Sequence, residues 1–256
     1  MTRIVQRPRA AISTRPGNRD TNQDAAAVAD YDATPAHIVA AIADGHDTNK
    51  YSGLIADAAV RMATVQGAAV DHRQRPARLV ELTRAVIPQI GQFAARPIAL
   101  QFWDFADIDD PTRANTALLV ATVDHFGAVH IGWLGDVRAY ILTHTAALYF
   151  LTNGDRTRPP NPDRRDTLGS HDHPESANWP TSNSGHRARR VLLCTSGLHR
   201  ALPDSEIRTV LADAATREDA AHELTARAVA ASADPDNATA IVIDVPPSNP
   251  RLSVVR

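Results

Sequence analysis

The chain has 256 residues, 43% of them apolar, and a formal net charge of −2. That combination fits one large domain or two small ones around a sizeable core, and it excludes wholesale disorder. The near-zero charge argues against a dedicated nucleic-acid binder. In chain order, 11–16 (AISTRP), 24–31 (DAAAVADY) and 37–44 (HIVAAIAD) read as short strands. The second and third are expected to pair through the turn-rich DATPA. A helix is predicted over 51–72, with Leu54, Ala58, Arg61 and Met62 at helical spacing. A second follows over 77–95, with Leu79, Leu82, Val86 and Ile90 on one face and Pro88 kinking or shortening it. Residues 102–113 are acidic and aromatic and read as a loop or edge segment.

The apolar period then becomes that of strands. TALLVATVD, GAVHIGWLGD, RAYILTH and ALYFLT follow one another with short polar breaks, the pattern of an antiparallel meander. Residues 153–189 are rich in Arg, Pro, Asn, Asp, His and Ser and read as a long exposed, mobile loop. Val191–Cys194 is a buried strand ending at Thr195-Ser196-Gly197. Asp204 or Ser205 is expected to cap a helix through Ala212, and Thr216 with Asp219 to form a capping box opening a helix to about Ala231. Residues 237–245 are the last strand, and 246–256 a frayed tail. Antiparallel strand blocks with helices gathered in pairs indicate an α+β layered domain rather than a βαβ winding.

Cys194 is the lone cysteine, so no internal disulfide and no Cys-rich zinc site is available. Lys50 is the lone lysine among many arginines, which with abundant alanine reads as the composition of a GC-rich bacterium. The start MTRIVQRPRA has no apolar core for a signal peptide, and no run is long enough to span a membrane. The expectation is a soluble cytoplasmic protein.

Aspartates stand at several strand ends: Asp24, Asp44, Asp136 and Asp236. An isolated one is most simply a turn residue bonding nearby backbone N–H groups. Together, carboxylates at strand ends can converge on one rim of a sheet and form an oxygen-rich site for Mg²⁺ or Mn²⁺. The ordered set resembles the metal-dependent PPM serine/threonine phosphatases, the protein phosphatase 2C family. Arg19 and Asp24 match the opening motif, with Gln23 in its Glu position. Asp44-Gly45, Thr116-Ala117, Gly135-Asp136-Val137-Arg138-Ala139, Leu151-Thr152, Thr195-Ser196-Gly197-Leu198 and Asp236-Asn237 follow in the family's order.

The resemblance implies two antiparallel sheets packed face to face and flanked by helix pairs, an α-β-β-α sandwich over 1–245 with 153–189 as a flap-like loop. It implies hydrolysis of phosphoserine or phosphothreonine by a water that two Mn²⁺ or Mg²⁺ ions activate. In that reading Asp44 bridges both ions, the Gly45 carbonyl holds one and Asp236 the other, with Asp24 beside them. Asp136 serves an accessory ion, and Arg19 holds the phosphate. The partner is a phosphorylated protein.

Ser196 stands where the family has a metal-binding aspartate, and a neutral hydroxyl is a poor ligand for a hard dication. Val137 replaces a serine, and Gly154-Asp155 and His46-Asp47 replace two further family tags. Asp47 or Asp155 are candidates to supply the lost carboxylate. Two functions follow: a phosphatase with a weakened metal site, or a pseudophosphatase that binds a partner without turnover. A serine hydrolase centred on Ser196 lacks the G-x-S-x-G context. His171, Asp172 and His173, and the run of Asp104, Asp107, Asp109 and Asp110, read first as solvated segments. Trp103, Trp133 and Trp179 read as packing groups.

Overall fold

The computed structural model describes residues 8–31, 37–46, 51–67, 76–83, 115–124, 126–152, 174–179 and 186–245. Within them the strands are β1 (Arg9–Arg15), β2 (Asp24–Tyr31), β3 (His37–His46), β4 (Asn115–Asp124), β5 (Val129–Leu134), β6 (Arg138–Thr143), β7 (Leu148–Phe150), β8 (Glu175–Trp179), β9 (Ala188–Cys194) and β10 (Ala238–Asp244). The helices are α1 (Ser52–Gln66), α2 (76–83), α3 (Ser196–His199), α4 (Asp204–Asp213) and α5 (Arg217–Ala230).

Among these residues two five-stranded sheets form, ordered β1-β10-β9-β6-β7 and β2-β3-β4-β5-β8. Every pairing is antiparallel. The central strands are covered on both faces, which is why they read as unbroken apolar runs. Ile241 and Ile243 of β10 meet Ile42, Leu119 and Ile131 of the facing sheet in the inter-sheet core. The alternate β10 residues Ala240 and Val242 turn outward against Ile207, Leu211 and Leu224 of α4 and α5. On the other outer face Val39, Ala41 and Val120 receive Ile55, Ala59 and Ala63 of α1 and Leu79 of α2. Burying each large aliphatic side chain this way contributes roughly 1.5–3 kcal/mol. The molecule is thus four layers, helices, sheet, sheet, helices, as the sequence reading expected. No helix among the described residues is long and apolar enough to cross a membrane.

Three local expectations need correction. The meander is broken in the middle. β4 and β5 pair in one sheet, whereas β6 and β7 pair in the other. The chain changes sheets at Gly135-Asp136, where Gly135 has φ 100°, so both halves keep a period of two and the switch leaves no mark on it.

The loop expected over 153–189 contains β8, which pairs with β5 and places Ala177 and Trp179 against the inter-sheet core. β9 also starts earlier than expected, at Ala188. Its Arg190 is only 4% exposed, yet Nε donates to Asp244 at 2.9 Å and Nη1 to the Leu211 and Ala214 carbonyls at 2.7 and 2.9 Å. That satisfies the buried charge and seals the C-terminal end of α4.

Neither Asp204 nor Ser205 caps α4, whose N-cap residue is Pro203. Asp204 instead accepts from the Tyr140 hydroxyl at 3.1 Å, pinning α4 to β6. The Thr216 cap does form: its Oγ1 accepts from the Asp219 N–H at 3.0 Å and donates to the Asp219 carboxylate at 2.7 Å. Trp133 is a core residue, as expected. Residues 68–72, 84–95, 102–113, 153–173 and 246–256 lie outside the described residues, together with Asp47, Trp103, Asp155, His171, Asp172 and His173.

Candidate active site

The start of β2, the end of β3, the end of β9 and the start of β10 meet at one rim of the sandwich. Antiparallel pairing puts Asp24 directly opposite Asp44. Two carboxylates on neighbouring strands disfavour each other's ionisation. Burial, and next the facing Asp44, push the Asp24 carboxyl well above the usual carboxylate range, against bonds from the Thr239 and Thr195 side chains. Thr195 Oγ1 donates to Asp24 Oδ2 at 2.8 Å and accepts from the Thr239 N–H at 3.0 Å. Asp44 is 8% exposed. Its backbone carbonyl accepts from Thr116 Oγ1 at 2.8 Å. The Thr-Ala motif therefore fixes the strand end that carries Asp44.

Ser196 opens α3, and its N–H donates to Asp44 Oδ2 at 2.9 Å. The residue thus meets Asp44 through its backbone, in a charge-assisted bond. His199 does not serve as a base for it: Nε2 donates to the Asp136 carbonyl at 2.7 Å, which makes Nε2 the protonated nitrogen. Burial, and next the Arg138 charge, push His199 down to about 4, so the ring is neutral at neutral pH. Among the described residues His199 and Ser196 do not form a serine-hydrolase arrangement.

Asp236 lies across the rim. Its Oδ1 accepts from Arg19 Nε and from the Asn237 N–H, each at 2.9 Å, and the Arg19 and Asp236 side chains are about half exposed. Asn237 is the residue the sequence reading passed over. Its Oδ1 accepts from the Gln23 N–H at 2.8 Å, and its Nδ2 donates to the Pro16 and Thr21 carbonyls at 2.8 and 3.2 Å. One amide thereby holds the 16–23 segment that carries Arg19 and leads into Asp24. The signal was in the Asp-Asn pair before the last strand, read for its aspartate alone. Gly45 N donates to the Gln23 carbonyl at 3.2 Å, closing the same loop against β3.

Gly197 sits where α3 touches the start of β10. A Cβ there would lie 2.0 Å from the Asn237 carbonyl oxygen and 3.2 Å from Asp236 Cβ. Backbone cannot retreat as a side-chain tip can, so Gly197→Ala is expected to cost about 2–3 kcal/mol in urea unfolding. An unchanged midpoint would show that the two segments separate freely.

Asp136 follows the sheet-switching turn, and Arg200 Nη2 donates to its Oδ2 at 2.6 Å. Arg138, two residues on, donates to the Tyr140 hydroxyl at 3.2 Å and lies 4.8 Å from the Phe150 ring centroid.

The rim thus brings together Arg19, Asp24, Asp44, Gly45, Ser196 and Asp236, with Asp136 joined through the turn that ends at Arg200. Asp44, the Gly45 carbonyl and Asp236 are the oxygen donors suited to a hard cation. The facing Asp24 and Asp44 leave negative charge that a cation would compensate, so the donor chemistry fits an ion at Asp44. Among the described residues no group of three or more His, Cys, Asp or Glu is placed to hold one. At 196, where the family resemblance puts an aspartate, the chain carries a serine.

An α-β-β-α sandwich with acidic strand ends on one rim is the architecture of metal-dependent phosphatases. The family model for protein phosphatase 2C matches residues 17–230, and the chain belongs to that family. Among solved structures, the serine/threonine phosphatase Stp1 from Staphylococcus aureus is similar at TM-score 0.72 and 18% identity, over 96% of this chain and 98% of that one. The Mycobacterium tuberculosis serine/threonine phosphatase PstP/Ppp is similar at TM-score 0.65 and 22% identity, over 93% and 98%. A catalytic domain of PstP solved in complex with two manganese ions matches at TM-score 0.65 and 22% identity, over 93% and 99%. No curated protein sequence matches the chain significantly.

Proposed function

We propose that the chain is a Mn²⁺- or Mg²⁺-dependent phosphatase for phosphoserine and phosphothreonine in proteins, acting in a bacterial cytoplasm with a reduced metal site. The domain reading that goes with it is a single unit over 1–245, with 246–256 as a tail. The observation that carries the proposal is the buried Asp44 carboxylate facing Asp24 at the rim where Arg19 and Asp236 also meet. Asp44, the Gly45 carbonyl and Asp236 would hold the ion, which when bound lowers the pKa of water and neutralises phosphoryl charge.

The chain's own residues supply the rest. Arg19 spends Nε on Asp236, which orients the planar guanidinium and leaves its terminal nitrogens to bind phosphate oxygens. The Ser196 N–H holds one Asp44 oxygen in place. Asn237 keeps the Arg19 segment at the fixed distance that phosphate recognition needs. The second reading, a phosphoprotein-binding pseudophosphatase, draws on the loss of the third carboxylate at Ser196.

The deciding experiment is Mn²⁺-dependent phosphate release from a phosphothreonine peptide and from p-nitrophenyl phosphate, with a chelator control. Turnover that the chelator abolishes supports the phosphatase. Arg19→Ala is expected to lower kcat/KM roughly 10-fold or more, chiefly through KM, because it removes a charge-assisted phosphate contact. Absence of turnover at every Mn²⁺ concentration, with the peptide still bound, establishes the pseudophosphatase.

A further inference from the structure

Asp136 was expected to serve an accessory ion, and its surroundings do not fit one. α3 and the residue after it fold over the loop between β5 and β6. The Arg200 N–H donates to the Ser196 carbonyl at 3.0 Å, closing the turn. That closure delivers His199 Nε2 to the Asp136 carbonyl at 2.7 Å and Arg200 Nη2 to the Asp136 carboxylate at 2.6 Å. One short turn therefore engages both the backbone and the side chain of Asp136. Ser196, where the family resemblance puts a second carboxylate, has only a hydroxyl side chain, and its backbone N–H is engaged by Asp44.

We propose that Arg200 is a built-in cation: its guanidinium takes the accessory position at Asp136, which consequently binds no divalent ion. This inference rests on the reading of the rim as a phosphatase site. A guanidinium remains charged at every physiological pH, and a carboxylate suits its planar geometry. An ion could enter only by displacing that group, and Ser196 offers a neutral hydroxyl in exchange. Arg200 is 67% exposed and Asp136 34%, so the pair is accessible to exchange rather than locked in the core. The chain fixes here a charge that would otherwise depend on free ion concentration, and confines its divalent requirement to Asp44 and Asp236.

The test is Mn²⁺ bound per chain, by equilibrium dialysis with electron paramagnetic resonance of the free ion, for wild type, Asp136→Asn, Arg200→Ala, Arg200→Gln and Arg200→Ala/Asp136→Asn. Melting curves establish that each variant is folded. Asp136→Asn should leave bound Mn²⁺ at the wild-type level. Arg200→Ala and Arg200→Gln should each gain an ion, and the double variant should lose that gain. Loss of Mn²⁺ in Asp136→Asn overturns the proposal, and so does an Arg200 variant that gains nothing. A wild type that binds no Mn²⁺ at all counts against the phosphatase reading alone. An Asp136-dependent gain in Arg200→Ala would still support the built-in cation.

Discussion

Asp44→Asn is expected to abolish Mn²⁺ binding and to lower phosphatase turnover by about three orders of magnitude or more. The substitution preserves shape, and an asparagine oxygen can still accept the Ser196 N–H that now bonds Asp44 Oδ2. What it removes is charge, at a buried residue that faces Asp24 across the strand pair. The metal-free protein should be at least as stable as wild type. Asp24 would no longer face a second carboxylate, the second largest cause of its raised pKa. The paired measurement is Mn²⁺ titration and thermal melting in chelator. A variant that binds Mn²⁺ like wild type would remove Asp44 from the metal core. A variant that melts far below wild type in chelator would make Asp44 a structural residue instead.

Ser196→Asp is expected to act in opposite directions with and without metal. The Ser196 backbone already touches Asp44, the residue is 6% exposed, and Asp24 is opposite Asp44 and bonded by the neighbouring Thr195. A third carboxylate there meets two others in a buried setting, so in chelator the variant should lose about 1–3 kcal/mol of stability. Saturating Mn²⁺ should reverse the sign. A ligand binding the native state alone at 100 times its Kd adds about 2.7 kcal/mol, and the new carboxylate lowers that Kd. Turnover should rise with it. If turnover instead falls while Mn²⁺ binding tightens, Ser196 is an adapted part of a working site, and the account of a lost ligand is wrong.

The fold was legible wherever burial is two-sided. β2 has the expected bounds, and β3, β4 and β10 lie within two residues of theirs, because apolar runs such as 38–43 leave no other reading. The switch of sheets at Gly135-Asp136 was hidden, since a strand shows the same alternation whichever sheet it joins. β8 was hidden for a different reason. ESANW is polar on its exposed face and buries only part of Ala177 and Trp179, so its order comes from the β5 edge it pairs with. At the rim, the aspartates were legible from motif order, and register brings Asp24 and Asp44 together. The Arg200–Asp136 pair was not legible. It depends on a turn that carries a side chain from one sheet's strand end to another's loop, and no local pattern records that.

The position of the last strand decides when the rim can be completed. β10 is an interior strand, seated between β1 from the beginning of the chain and β9. A chain growing from its N-terminus displays Arg19, Asp44 and Asp136 early, yet β1 has no ladder partner until residues 238–244 arrive. Asn237 and Asp236, which organise the 16–23 segment, come just ahead of that strand. Contacts between chain ends carry a large loop-closure cost and form slowly. The contacts that order the 16–23 segment at the rim therefore wait for the last strand of the domain. A product that stops short of Ala238 would carry Asp24, Asp44, Asp136 and Asp236 yet lack the strand that seats Asp236 and Asn237 against the 16–23 segment.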